Sequence, residues 1–187
     1  LSAAAERHIE HPSSQTHILI GQPGMRRDDP DYFALYVGNY VLGGGGLVSR
    51  LNAEVREKRG LSYSVYSYFL PMAQQGPFQM GLQTRNDQAD EALKVLRATL
   101  AQYVTEGPTA AELEAAKKNI TGGQALRIDS NRKILEYLAV IGFYDLPLDY
   151  LETFNAKVEA LTLDRIHDAF ERRLQPERML TVRVGGG

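Results

Sequence analysis

The sequence predicts an α+β fold, with a mostly antiparallel β-sheet and α-helices packed on one face. Short stretches rich in alternating apolar residues lie near both ends of the chain and in a central pair, as in β-strands. Only a short loop containing Gly76 separates the central pair, which is typical of an antiparallel hairpin. The second half instead carries apolar residues at helical spacing between breaks such as Gly107 and Pro108.

The elements can be assigned in order from these patterns. Residues 1–15 are polar and are expected to form a linker or irregular entry, before a single α+β domain over residues 16–187. In the first half we predict strands at 16–21, from Leu61 and at 77–84, with helices from Pro30 and after the glycines at 43–46. In the second half we predict helices at 87–106, 109–128, from Asp129 or Ser130, 149–161 and 163–174, then a strand at 178–184.

The composition bounds the function. With 43% apolar and 24% charged residues, the 187-residue chain has the composition of a single globular domain. The net charge is −2 and the cations are dispersed, so a nucleic-acid surface is not expected. No cysteine and no long apolar run occur, which excludes a thiolate zinc site and predicts no membrane span. The absent initial methionine predicts a piece excised from a longer protein.

Four consecutive glycines interrupt the helical pattern of the first half: Gly43, Gly44, Gly45 and Gly46. After them Leu47, Leu51 and Val55 recur at every fourth position, which predicts a short amphipathic helix. The glycines have three interpretations: a helix break, a substrate-binding loop whose backbone approaches a ligand closely, or a nucleotide site. The third is disfavoured because neither the P-loop lysine nor a GxGxxG motif after a strand is present.

Arg56 and Tyr63 are the main functional candidates. Gly60 is expected to end the helix after the glycines, which places Arg56 in its last turn and Tyr63 at the start of the next strand. A tight turn between these elements brings two such side chains together. The structural alternative is that Arg56 interacts with the helix dipole and Tyr63 is a packing residue.

No metal site is predicted. His8, Glu10 and His11 are close in sequence, but neither HExxH nor its inverted form HxxEH occurs. We expect these residues to lie on the surface, and His167 to be partly exposed on an amphipathic helix.

A family resemblance covers nearly the whole chain. The block LGGGGLVSRLNAEVREKRGLSYSV at residues 42–65 carries most of it, and QTHILIGQPG, GPFQMGLQTR and GPTAAELEAAKKNI support it in the expected order. The chain resembles the C-terminal, non-zinc half of pitrilysin or insulinase-like zinc metallopeptidases, including mitochondrial processing peptidases and bacterial zinc proteases.

The resemblance implies a half-enzyme. Its relatives enclose a chamber between two similar halves, one of which binds zinc through HxxEH and activates water. The other half supplies an arginine and a tyrosine that reach the substrate backbone near the scissile bond, and these match Arg56 and Tyr63. The implied substrate is a peptide or unfolded polypeptide. The implied partner is a zinc-bearing N-terminal domain or subunit, and no cofactor is expected in this chain.

One alternative remains within the resemblance: a non-catalytic structural or peptide-binding subunit related to the core proteins of respiratory complexes. In that case the Arg56 and Tyr63 pair would be expected to be lost, yet both are present. The chain alone is not expected to cleave polypeptides because HxxEH is absent. The compartment is not readable from the sequence; bacterial relatives imply the periplasm, with the cytoplasm as the alternative.

Overall fold

The computed structural model of the chain describes residues 2–123 and 128–186. Within these ranges, five strands form one sheet in the order β1-β5-β2-β4-β3, and every pairing is antiparallel except β1 with β5. The α+β prediction is therefore confirmed. The strands and helices are β1 (Ala5–Ile9), β2 (Gln15–Pro23), α1 (Tyr32–Asn39), β3 (Val65–Phe69), β4 (Pro77–Arg85), α2 (Ala89–Glu106), α3 (Ala110–Gly122), α4 (Asn131–Phe143), α5 (Tyr150–Glu159), α6 (Leu163–Arg173) and β5 (Leu180–Val184).

Alternation along the strands divides the sheet into two faces. On β2, Ile18 and Ile20 are buried beneath the helices, while His17 points to the opposite face and is exposed. β3 and β4 form the predicted hairpin, in register from Val65 opposite Leu82 to Phe69 opposite Phe78. Every second residue of the central strands is apolar and points to the same face of the sheet, and the helices cover that face. The sequence pattern predicts this arrangement.

The helices α1, α2 and α6 meet at one buried point of the core. Phe170 of α6 stacks edge-on against Tyr103 of α2, with ring centroids 5.0 Å apart. The Tyr103 hydroxyl donates a 2.8 Å hydrogen bond to the carbonyl oxygen of Gly38 in α1. This bond satisfies the buried phenol, and it fixes α1 over the sheet next to β3.

An ion-pair cluster holds the start of α1 to the end of α6. Arg172 and Arg173 both donate hydrogen bonds to Asp31, and Arg173 also contacts Asp29. Burial alone would raise the pKa of Asp31, but the two arginines outweigh it and lower the pKa below its ordinary value. Asp31 therefore stays ionised at neutral pH and anchors the loop that precedes α1.

The prediction of an irregular entry over residues 1–15 is wrong for Ala5–Ile9. This segment forms β1, which pairs in parallel with β5 from Ala5 opposite Leu180 to Ile9 opposite Val184. All five of its side chains are exposed. Since β1 lies at the sheet edge and buries neither face, its sequence lacks the alternation by which strands are recognised.

Two other helical predictions differ from the structure. The helix predicted at 109–128 is observed to Gly122, and residues 124–127 lie outside the described part. In α4 the spacing of Ile134, Leu135, Leu138 and Ile141 predicts that they face inward. Ile141 is buried, whereas Leu135 and Leu138 are 66% and 55% exposed. The prediction of a helix is correct, but within the described chain most of that apolar face is left uncovered.

We predict opposite effects for two glycine-to-alanine substitutions in helices. An alanine at Gly38 would place its Cβ 2.3 Å from the buried Phe170 ring and 2.8 Å from Ile166. Gly38→Ala should therefore lower the free energy of unfolding by about 1–3 kcal/mol. Gly142→Ala, where a Cβ meets nothing within 4 Å, should raise it by up to about 1 kcal/mol. Urea denaturation of both variants measures this, and a stabilising Gly38→Ala would contradict the packing described.

Candidate functional site

The glycine segment continues α1 as a π-helix, Tyr40–Gly44, that lies against β3. A Cβ on Gly43 would sit 2.5 Å from Ser67 Oγ and 2.6 Å from Leu51 Cδ1, so only glycine fits at this position. Gly46 has φ of +62° and opens the following turn. The four glycines thus allow both a close contact with the sheet and a change of chain direction.

Asn39 covers the middle of β3. Its Nδ2 donates a 3.0 Å hydrogen bond to the Ser67 carbonyl oxygen, and its Oδ1 accepts a 2.7 Å bond from Ser67 Oγ. Both residues are buried. Because β3 is an edge strand, this pair occupies a backbone acceptor that would otherwise be open to another chain.

A second π-helix, Asn52–Glu57, follows the glycines, and the turn after it closes at Gly60, three residues beyond the end of the helix. Gly60 has φ of +62°, and its N–H donates to the Arg56 carbonyl oxygen at 2.9 Å. Leu51 and Val55 are fully buried, but Leu47 is 64% exposed, so the prediction that Leu47 shares their face is wrong. The residues between Leu47 and Leu51 do not continue one helix, which breaks the four-residue spacing.

Arg50 fixes this π-helix to the rest of the domain. Its guanidinium donates to both carboxylate oxygens of Glu112, at 2.6 and 2.7 Å, and to the Gly107 carbonyl oxygen at 3.0 Å. It also lies 5.0 Å from the centre of the Tyr103 ring. Burial alone would raise the pKa of Glu112, yet the bonds from Arg50 and Thr109 outweigh it and the pKa is lowered.

Among the four cations between residues 50 and 59, Arg56 has no hydrogen-bonding or ionic partner for its side chain in the described chain. Lys58 and Arg59 both bind Glu54, and the hydrogen bonds they donate hold the pKa of that carboxyl below its ordinary value. Arg50 binds Glu112. The guanidinium of Arg56, half-buried on the same short helix, is left available.

Tyr63 is 90% exposed and lies in the turn two residues before β3, not at the start of the strand as predicted. Its hydroxyl makes no hydrogen bond to any residue of the two described ranges. A packing role for Tyr63 within this chain is therefore inconsistent with its exposure. The exposed phenol and the unpaired guanidinium of Arg56 lie on either side of the Gly60 turn.

A groove of about 620 Å³ runs along β3 beside the glycines. Gly43, Gly44 and Gly46 line one end of it, whereas Gly45 packs against Tyr40. Its walls carry tyrosines that the sequence analysis did not single out: Tyr32, Tyr36 and Tyr40 at four-residue spacing on one side, and Tyr66 and Tyr68 of β3 on the other. The four-residue spacing of the first three tyrosines can be read from the sequence, but the sequence does not show that β3 lies opposite them.

The described residues offer no site for a metal ion. No cluster of three or more His, Cys, Asp or Glu side chains occurs in residues 2–123 and 128–186. His8 instead contacts the Gly185 carbonyl oxygen at 2.8 Å. A zinc ion therefore does not fit the side chains seen in this chain. In the same ranges no helix is long and apolar enough to span a membrane.

Residues 2–120 match the family model of the peptidase M16 inactive domain. The chain belongs to this family. A crystal structure of a peptidase M16 inactive domain from Pseudomonas fluorescens superposes on it with a TM-score of 0.93 at 44% identity, covering 99% of this chain. The predicted resemblance to the non-zinc half of zinc proteases is thereby confirmed.

Two curated relatives of this M16 inactive domain carry different names. An uncharacterized zinc protease of Streptomyces coelicolor, SCO5738, is 37% identical over 127 residues, which is 68% of this chain and 28% of the relative. The non-peptidase homolog YmxG of Helicobacter pylori is 29% identical over 168 residues, which is 88% of this chain and 38% of the relative. The chain thus spans less than half of each relative, and covers 44% of the solved Pseudomonas chain.

We predict that Glu112→Gln destabilises the inactive domain in a pH-dependent way. With 29% of the Glu112 side chain exposed, loss of its charged bonds to Arg50 should cost about 1.5 kcal/mol at pH 7. Folding lowers the pKa of Glu112. The stabilisation is therefore complete when the pH is above the pKa of glutamate in the unfolded chain, about 4.3, and it is lost as the pH falls through the lower pKa of the folded state.

Urea denaturation between pH 7 and pH 3 would measure the difference between the wild type and Glu112→Gln. The difference in free energy of unfolding between the two proteins should become smaller as the pH falls. Asp87→Asn is the matched control, because Asp87 pairs with Arg85 at an exposed site and should change little. A difference that does not change with pH would contradict the conclusion that the charge of Glu112 causes the stabilisation.

Proposed function

We propose that this M16 inactive domain is the substrate-binding and transition-state-positioning half of a zinc metalloendopeptidase. The observation that carries the proposal is a pair of donors without partners in the described chain, the exposed Tyr63 phenol and the Arg56 guanidinium, which precede β3 on either side of the Gly60 turn. The names of relatives such as the Streptomyces zinc protease support it. Zinc would be held by a companion half, which is either part of a longer chain or a separate subunit.

The proposed chemistry of the pair follows from its residue types. Attack on a peptide bond develops negative charge on the carbonyl oxygen. A phenol O–H and a guanidinium N–H both donate hydrogen bonds, and such donors stabilise that charge more strongly than the uncharged substrate. Tyr63 and Arg56 would therefore act on the oxygen of the scissile carbonyl. They would supply donors and not the nucleophile.

The groove along β3 suits an extended polypeptide. Tyrosine walls bind apolar and polar side chains of many kinds, and the glycines at one end let a peptide backbone approach closely. Because Asn39 and Gly43 cover the centre of β3, the substrate would lie on the groove walls and would not add a full strand to the sheet. A peptide or an unfolded polypeptide is the proposed ligand.

A second candidate function is a non-catalytic, peptide-binding or structural subunit. It is favoured by one observation: the Helicobacter relative, which aligns over 88% of this chain, is named a non-peptidase homolog. Both candidates use the same groove. They differ in whether Tyr63 and Arg56 act on a reacting carbonyl.

We predict that Tyr63→Phe in the complete two-half protein lowers kcat/KM for a quenched fluorescent peptide by about a hundredfold, because one oxyanion donor is removed. The thermal unfolding temperature should not change, since the hydroxyl has no partner within the described chain. Full activity of Tyr63→Phe would contradict the proposed role. An assembled protein with zinc bound that cleaves none of a broad peptide set would favour the second candidate.

Arg56→Gln should lower activity by a comparable factor for the same reason. Arg59→Gln is its matched control: Arg59 lies three residues away, is exposed and pairs with Glu54. Activity of the Arg59 variant should stay close to that of the wild type. Equal losses in both variants would indicate a general electrostatic effect of the helix and not a specific donor at Arg56.

A further inference from the structure

Arg27 is held among aromatic side chains at one end of the groove. It lies between β2 and α1, and it donates hydrogen bonds to the hydroxyls of Tyr32 at 2.6 Å and Tyr150 at 3.0 Å. Its guanidinium carbon is 4.6 Å from the centre of the Tyr32 ring, with the rings of Tyr150 and Tyr144 at 5.5 and 5.8 Å. Arg27 is half-buried and lines the groove.

The charge of Arg27 has no counter-ion in residues 2–123 and 128–186. Its Nε is buried and has no acceptor. Burial raises the pKa of both Tyr32 and Tyr150, so these phenols stay neutral and do not neutralise the guanidinium. The adjacent Arg26, by contrast, pairs with Asp28. A half-buried arginine without a carboxylate partner retains both positive charge and unused donors.

Arg27 and the pair of unused donors lie at opposite ends of β3. Tyr63 precedes the strand, whereas the Arg27 N–H donates a 2.9 Å bond to the carbonyl oxygen of Met72, which follows it. Phe69 and Pro71 line the groove with Arg27 at this end. Tyr63 and Met72 are nine positions apart, and the five residues of β3 between them are extended. Since an extended peptide advances about 3.3 Å per residue, several peptide residues separate Tyr63 from Arg27.

We propose that Arg27 binds a carboxylate of the peptide in the groove, several residues from the scissile bond. This inference rests on the proposed peptide-binding function. A guanidinium matches a carboxylate in shape and charge, and tyrosine rings at its sides restrict the direction of approach. The carboxylate is either an aspartate or glutamate side chain or the free C-terminus of the peptide, and both sources offer the same ligand chemistry.

Fluorescence anisotropy with short fluorescein-labelled peptides of one shared neutral sequence tests the proposal on this chain. The first peptide is amidated and neutral, the second has a free C-terminus, and the third is amidated with one internal glutamate. At least one carboxylate peptide should bind about tenfold more tightly than the neutral peptide. The second and third peptides distinguish the C-terminus from a side chain as its source.

Arg27→Gln should abolish this preference, so that the variant binds the three peptides with equal affinity. Arg26→Gln is the matched control, because Arg26 is exposed and already paired with Asp28, and it should retain the preference. Thermal unfolding checks that each variant is folded. If Arg27→Gln does not fold, Arg27→Met replaces it, since methionine keeps an unbranched apolar stem but carries neither the charge nor the donors.

The possible results separate the inference from the proposed function. If the three peptides bind equally well, or if the preference persists in a folded Arg27 variant, the role of Arg27 is overturned while peptide binding stands. If the folded wild-type chain binds none of the peptides, the groove is not a peptide site. The proposed peptide-binding function and the proposed role of Arg27 are then both overturned.

Discussion

The close contact between Gly43 and β3 is the constraint on which the candidate site depends. No side chain fits between the π-helix and Ser67, so the backbone of one element lies directly on the other. The Asn39 amide then bonds to the strand one turn earlier. Together they set the floor of the groove and bring the tyrosines of α1 opposite those of β3. A larger residue at Gly43 would separate these walls.

The polar side chains on and around the second π-helix are of two kinds: those that pair within the domain and those without a partner in the described chain. Arg50, Glu112 and Glu54 are used inside the domain, where they fix the second π-helix through charged hydrogen bonds. Arg56 and Tyr63 project from that fixed framework without partners in the described chain. Rigid support beneath free donors is the arrangement that electrostatic preorganisation requires, because donors that are already oriented lose little on meeting the substrate. Under the proposed function, the internal ion pairs would contribute to the site without touching a ligand.

Local patterns in the sequence predicted the parts of the fold that depend on local rules. The β3–β4 hairpin and the turn at Gly60 after the second π-helix each follow from a few neighbouring residues. β1 was missed because its only stabilising partner, β5, lies at the far end of the chain. In α4 the period identified the helix but overstated its burial, since an apolar stripe does not specify which segment will cover it.

The candidate site was predictable only in part for the same reason. Arg56 and Tyr63 were found through a family resemblance, whereas spacing alone left a structural interpretation open. The tyrosine groove and Arg27 were not found, because they join residues from the loop before α1, from α1 itself and from β3. No pattern within a single helix or strand predicts that residues from these three parts of the chain lie together. It follows from sheet order and helix packing, which a single sequence specifies only through the complete fold.

Architecture alone does not separate a peptidase half from a non-peptidase relative. The chain resembles proteins carrying both names over most of its length, so the difference must lie in particular side chains. Tyr63 is informative in this respect because it contributes almost nothing to the stability of the chain that carries it: its ring is 90% exposed and its hydroxyl is unbonded within the described residues. Folding of this domain therefore gives no reason for a tyrosine at this position. Any physical role of Tyr63 must involve contacts beyond the described part of the chain.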